Sequence, residues 1–102
     1  MTRVRTADRQ PDKLRALQRA NEIRAARAEL KRLVADGALP AARVLLDPPP
    51  AASSWPVSEL LMTQRHWGKA KCTRFLSRNQ ISEFKPIGEL TDRQRRVLAA
   101  QL

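Results

Sequence analysis

The stretch from Arg65 to Leu76, RHWGKAKCTRFL, combines a turn, several cations and the start of a predicted helix. The first N–H groups of a helix lack an intrahelical partner and carry a partial positive charge, so a helix start can hold a phosphate. Gly68 has no Cβ and lets a ligand approach the backbone closely. The cations around it are Arg65, Lys69, Lys71 and Arg74. The pattern therefore predicts a site for the phosphates of a nucleic-acid backbone.

Catalysis would need residue combinations that this chain lacks. His66 is the only histidine and Cys72 the only cysteine, so a multi-histidine metal site or an intrachain disulfide cannot form within one chain. The acidic residues are scattered, and no glycine-rich nucleotide loop is present. We therefore predict a protein that is not an enzyme and that uses no cofactor and no metal. His66 is either a phosphate donor beside the turn or a surface residue without a set task.

Charge points to the class of partner. The chain has 102 residues and a net charge of +10, which favours nucleic acid or an anionic membrane surface. Residues 1–36 carry ten cations and five acids, and residues 64–102 carry nine and three, so two separate basic surfaces can form. No apolar stretch approaches the roughly 20 residues that span a membrane, and the first eight residues lack the apolar core of a secretory signal. With one cysteine, these features predict a cytoplasmic protein with no membrane partner.

A long first helix is predicted from Pro11 to Asp36, because proline suits a first helical position and Gly37 is a stop signal. One sector of its helical wheel is apolar and predicts a packing face. The members of this face are Ile23, Ala26, Leu30, Leu33 and Val34. Towards the N-terminus the same sector holds Arg15 and Arg19, so the first turns are expected to project into solvent. The projecting segment is either a solvated helix end or a basic arm for a second stretch of phosphate.

Shorter helices are predicted at about 39–46, 57–62, 69–78 and 92–101, from proline and capping signals such as the capping box of Thr91 and Gln94. The proline run that begins at Pro48 predicts a stiff spacer, with Ser54 as an N-cap after it. No alternating β-branched run occurs. We therefore predict an all-α fold with no sheet: a basic N-terminal helix with a projecting arm over residues 1–36, packed on a helical domain of about four short helices over residues 37–102.

Aromatic residues are scarce, so the core is expected to need most of them. Phe75, next to Leu76, is predicted to be buried. Trp67 is predicted to anchor the core, with stacking on a base as the alternative. Phe84 is left open, because it lies in a basic loop. Cys72 is predicted to be a small packing residue on the inner side of its helix.

The last predicted helix has a buried side marked by Val97, Leu98 and Leu102. Arg93 lies in its first turn, where the helix dipole disfavours a cation unless an anion is near. We therefore expect a phosphate at Arg93, whereas Arg96 is expected on a solvated face.

Three segments together resemble the actinobacterial integration host factor family: the turn and helix at 65–76, the step at 81–83 and the segment at 88–95. Further similarity to the long helix and the next helix of that family comes from Arg27–Lys31, Gly37 and Val44–Leu45. The resemblance covers roughly residues 20–102. It implies a nucleoid-associated protein with a helix-hairpin-helix or helix-two-turns-helix element, similar to part of ribosomal protein S13. It also implies binding of double-stranded DNA with little sequence preference, assistance to a site-specific recombinase (integrase), and an actinobacterial phage or prophage as a source.

By this resemblance, Lys71 and the turn at Gly68 and Lys69 face DNA, and His66 stands where a first glycine is common. The family's loop before the last helix is arginine-rich, and here only Lys85 keeps a charge, so Arg78 and Arg93 are expected to replace part of its task. The full set of predicted DNA-binding residues is Arg15, Arg19, Arg65, His66, Gly68, Lys69, Lys71, Arg74, Arg78, Lys85 and Arg93.

The sequence thus favours a monomeric, sequence-tolerant binder of double-stranded DNA that acts through phosphate contacts. No predicted helix carries Asn, Gln and Arg together on one outer face, so base-edge readout is not expected. Two alternatives stay open. One is an RNA-binding protein of the ribosomal S13-like type, and the other is a phage protein-interaction module whose charge serves solubility or steering.

Overall fold

The computed structural model describes the backbone of residues 2–102 and the side chains of residues 12–102. Within these residues five helices follow one another: α1 (Thr2–Ala35), α2 (Ala41–Leu46), α3 (Val57–Thr63), α4 (Lys69–Arg78) and α5 (Asp92–Ala100). Short 3-10 turns occur at Pro50–Ala52 and Ile87–Glu89. Extended pairing in this part of the chain is limited to one antiparallel bridge between Pro56 and Pro86. The predicted all-α fold is confirmed. No helix among the described residues is both long enough and apolar enough to cross a membrane.

Helix α1 runs through Pro11, so the predicted helix start at Pro11 is wrong. Proline keeps a helical φ and removes one backbone donor, and the good helix formers on both sides continue the helix at that local cost. The predicted end is correct. Gly37 has a φ of 80° and donates its N–H to the carbonyl of Val34 at 3.1 Å, a left-handed conformation that glycine adopts without steric penalty.

Only the last turns of α1 enter the core. Leu30 and Val34 are buried, whereas Ile23 is 49% exposed and Ala26 is also exposed. Their predicted place in the packing face is therefore wrong. Helical periodicity gives the direction of an apolar face but not the point at which the partner surface ends. The first half of α1 projects from the rest of the molecule. With this projection the molecule measures 62 × 26 × 22 Å.

The segment after α2 sets this boundary, and it is more than the predicted spacer. Its 3-10 turn, Pro50–Ala52, packs against α1, and Ala51 and Ala52 are buried. The Arg27 guanidinium donates to the Ala51 carbonyl at 3.4 Å and to Ser54 Oγ at 2.7 Å. Ser54 is thus used as an acceptor for α1, and its predicted role as an N-cap is wrong. The N-cap of α3 is Pro56.

The remaining helices enclose one core, in which α2 packs on α5 and α3 on α4. Trp55 and Phe75 are buried, as are Leu76 and Cys72. On α5 only Leu98 is buried, so the predicted burial of Val97 and Leu102 is wrong. Arg95 occupies part of that side of α5 instead. Its half-buried guanidinium donates to the carbonyls of Leu45 at 3.1 Å and Gly88 at 3.2 Å.

Candidate nucleic-acid interface

Helix α4 begins at Gly68, which is exposed and extended, with φ −86° and ψ 175°. The Cys72 N–H donates to the Gly68 carbonyl at 3.1 Å. Among the described residues no side chain caps this helix start, and Lys69, Ala70 and Lys71 are all exposed. A Cβ added to Gly68 would find no heavy atom within 4 Å. The first turn of α4 is therefore exposed and its N–H groups have no side-chain cap, so an anion can approach them.

The turn before α4 fixes the direction of this helix start. The Trp67 N–H donates to the Gln64 carbonyl at 3.3 Å, and the Gln64 N–H donates to the Leu61 carbonyl at 3.2 Å. His66, between them, has a φ of 66°, a left-handed conformation that costs a non-glycine residue about 1–2 kcal/mol. This geometry explains why a glycine would suit position 66. His66 and Arg65 are both exposed at the corner.

One side of α4 forms a shallow basic cleft of ≈ 300 Å³. Its lining residues are Trp67, Lys71, Arg74, Phe75 and Arg78. The Trp67 ring meets the Phe75 ring edge-on at 5.2 Å, and Lys71 Nζ lies 4.5 Å from the Trp67 ring centroid. Trp67 is only partly buried, so it joins the core through Phe75 and leaves part of its ring beside the cations.

The cations of α4 have no acidic partner among the described side chains. The ion pairs of the described side chains lie on α1 and α3: Lys31 with Glu59 at 3.6 Å, and Arg32 with Glu29 and Asp36. In that cluster the Arg32 hydrogen bond lowers the pKa of the Glu29 carboxyl. Cations without an ion-pair partner are available to an outside anion. The surface on and before α4 is therefore basic and is not neutralised by ion pairs of the described residues.

The two residues predicted around the last helix, Lys85 and Arg93, lie in different surroundings. Lys85 is half-buried, and its amine donates to Gln94 Oε1 at 3.3 Å, the atom that also accepts from the Thr91 N–H at 3.0 Å. Lys85 thus supports the capping box, which is present as predicted. Arg93 is exposed in a cleft of ≈ 410 Å³ beside Asn79 and Gln80. Because ten residues of helix span about 15 Å, Arg93 stands well away from Gly68.

Arg15 and Arg19 belong to a different surface. Both are exposed on the projecting half of α1. The end of α1, at Val34, lines a cleft with Arg65 and Trp67. Along a straight helix Arg15 and Arg19 lie about 22–29 Å from Val34. The structure therefore brings Arg65, Gly68 and the α4 cations together and leaves the arm residues apart.

Sequence reasoning missed two polar residues of α4. Thr73 and Ser77 are exposed on α4, four residues apart after Lys69, a spacing that puts them on one helix side. Their hydroxyls could contact phosphate oxygens. Cys72 is buried as predicted, and burial, with a smaller contribution from the charge of Glu83, raises the pKa of its thiol. In the described part of the chain no group of three or more His, Cys, Asp or Glu residues could hold a metal ion.

The fold and the exposed basic helix start define a small all-helical protein with a candidate surface for anions. No protein-family model matches the chain, and no curated protein matches it. Among solved structures, the chain is similar to that of sIHF bound to an 8 bp palindromic DNA, with a TM-score of 0.72 and 23% sequence identity. The match covers 82% of this chain and 97% of the sIHF chain. The two proteins therefore share a fold.

Proposed function

We propose that this protein binds double-stranded DNA through its phosphate backbone, with the start of α4 as the central contact. The observation that carries the proposal is the exposed, uncapped helix start at Gly68. A phosphate there would accept from first-turn N–H groups and gain from the helix dipole. Arg65, Lys69 and Lys71 flank this point and have no acidic partners among the described residues.

The rest of α4 extends this surface along the backbone of the same duplex. Arg74 and Arg78 follow Lys71 on one side of the helix, and the cleft that they line is open and basic. Arg93 and His66 would add outer contacts, whereas Lys85 acts mainly through the capping box. Since sIHF, which has this fold, has been solved with DNA, duplex DNA is favoured over folded RNA. Phosphate contacts carry no sequence information, so binding should tolerate many sequences.

Further parts of the proposal rest on the resemblance to the actinobacterial integration host factor family. They are a nucleoid-associated role in the cytoplasm, assistance to an integrase, and a helix-hairpin-helix element that includes the turn and helix at 65–76. Action as a monomer, and the division into a basic helix with an arm over residues 1–36 and a helical DNA-binding domain over residues 37–102, are proposed from the sequence itself.

The test is a titration of duplex DNA, single-stranded DNA and folded RNA at several ionic strengths. Neutralising about 5–8 phosphates would give a slope of log affinity against log salt of about −5 to −7 for the duplex. Lys69→Ala and Lys71→Ala should each weaken binding about fivefold, equally across sequences, and reduce the slope by about one. Arg96→Ala removes the same charge from an exposed position on α5 and should change little.

Two results would contradict the proposal. One is a loss in K69A or K71A that is confined to a particular DNA sequence. The other is tighter binding of folded RNA than of duplex DNA at equal salt, which would favour the RNA-binding alternative.

A further inference from the structure

Phe84 is the most exposed large apolar side chain among the described residues, with 75% of its surface accessible. Phenylalanine is usually buried, and nothing in the core uses this ring. Its backbone is nevertheless held firmly. The carbonyls of Glu83 and Lys85, on either side, accept from the Ser58 N–H at 3.2 Å and the Val57 N–H at 2.9 Å. Because these bonds satisfy the start of α3, the loop is anchored and presents the ring of Phe84 at a fixed place.

A small cleft of ≈ 160 Å³ lies beside this ring. Its lining residues are Ser58, Met62, Lys69, Cys72, Thr73, Glu83 and Phe84. Met62 is 39% exposed and adds a second apolar surface. The polar groups are an ammonium, a carboxylate and hydroxyls, and no ion pair of the described residues joins Lys69 to Glu83. The cleft thus offers a ring, a flexible thioether, a donor and an acceptor in one place.

Lys69 connects this cleft to the candidate phosphate surface, since it is also the first residue of α4. A ligand in the cleft therefore lies next to the backbone of any DNA held at the helix start. The carboxylate of Glu83 would repel a phosphate inside the cleft, but it can accept from the exocyclic amine of a base. An aromatic ring with edge donors and acceptors matches a nucleobase better than it matches a sugar-phosphate.

We propose that this cleft, named here the Phe84 cleft, holds one unpaired nucleobase of DNA that is bound at the start of α4, with the base stacked on Phe84. This inference rests on the proposed function and deepens it. The protein would then prefer duplexes with a bulged base over fully paired ones. Stacking of a base on an aromatic side chain tolerates any base, and Glu83 would add a preference for bases with an exocyclic amine, such as cytosine over thymine.

The test compares three duplexes that differ at one position: fully paired, with a single bulged cytosine, and with a bulged abasic residue. The abasic bulge has the same flexible backbone and no base. We expect the wild-type protein to bind the cytosine bulge about tenfold more tightly than the abasic bulge. Phe84→Ala should abolish this ratio and leave the affinity for the paired duplex nearly unchanged. Leu46→Ala removes another exposed apolar side chain, on α2 and outside the cleft, and should keep the ratio.

Glu83→Ala removes the acceptor for the exocyclic amine, and it should keep the preference over the abasic bulge and lose the preference for cytosine over thymine. Equal wild-type affinity for the cytosine and abasic bulges, or an unchanged ratio in F84A, would overturn the inference while the paired duplex still binds. A second copy of the chain in the cleft would instead give a dimer that F84A dissociates, without base preference, and would also overturn it. Failure to bind any duplex would overturn the proposed function itself.

Discussion

At the scale of single residues, the three glycines have different tasks. Gly37 needs its left-handed φ. Gly88 is closely packed, because an added Cβ would clash with Ser53 Oγ and lie 3.0 Å from the Ser53 carbonyl oxygen. Gly68 needs neither, since its φ of −86° suits any residue and the space around it is open. The glycine at position 68 is the N-cap of α4, and it leaves open space in which a ligand can approach the backbone.

This difference gives a prediction about Gly68→Ala and Gly88→Ala. G68A should change the free energy of unfolding by less than about 1 kcal/mol, because its methyl group enters solvent. It should weaken duplex binding severalfold, because the methyl group keeps a phosphate from the N–H groups. G88A should destabilise the fold by about 1–3 kcal/mol. Urea unfolding and DNA titration of both variants provide the measurement.

Full DNA affinity in G68A would show that DNA phosphate does not approach the backbone at Gly68 closely. An unchanged unfolding midpoint in G88A would show that the loop at Ser53 moves aside easily.

At the scale of helices, the sequence predicts most boundaries because the signals are local. Pro40 before α2, Gly68 before α4 and the Thr91 capping box before α5 each act within a turn of the helix that they start. Errors arise where a distant segment decides. Ser54 has the chemistry of an N-cap, but Arg27 binds it from α1. Its competing partner lies 27 positions away in the chain, and local rules contain no information about it.

The candidate site shows the same difference between features set by local sequence and features set by distant contacts. The cations and the glycine of the α4 start are visible in the sequence, because the helix and its turn are local. The exposure of Phe84 is not visible, since it depends on hydrogen bonds between the 83–85 loop and the start of α3. The engagement of Lys85 with the capping box likewise depends on its bond to Gln94, nine positions away.

Helix α1 allows a direct test of where its docked half begins. Leu30→Ala should cost about 2–5 kcal/mol of unfolding free energy, because Leu30 is buried against the core. Ile23→Ala lies on the same sector of the helix and should cost less than about 1 kcal/mol, because Ile23 is half exposed. Chemical denaturation of the two variants compares them. A cost for I23A as large as that for L30A would mean that something covers the projecting half of α1.

At the scale of the whole molecule, two basic surfaces lie at different ends of an elongated shape, 62 Å in its longest dimension. The α4 surface is one. The other is the projecting half of α1, where Arg15 and Arg19 are exposed. We expect this separation, about 22–29 Å along α1 from Val34 to Arg19 and Arg15, to let two DNA segments bind one molecule. A protein built in this way would bridge duplexes in addition to coating them.

The prediction concerns Arg15→Ala with Arg19→Ala in one variant. Its affinity for a single short duplex should stay within about twofold of wild type, because the proposed function assigns most phosphate contacts to the α4 surface. Its ability to bring two labelled duplexes together, measured by fluorescence energy transfer, should fall strongly. The pair Arg43→Ala with Arg96→Ala removes the same charge from exposed positions elsewhere and serves as the control. An equal loss of bridging in both double variants would assign the effect to net charge alone.

The enclosed thiol of Cys72 has a practical consequence. Maleimide dyes react with thiolates, and this sulfur is both shielded from solvent and kept protonated. A cysteine introduced at the tip of α1 or in the 83–85 loop would therefore take a label alone, with the native residue left in place. Fluorophores could then report on each basic surface separately, in a chain whose interior packing has not been altered.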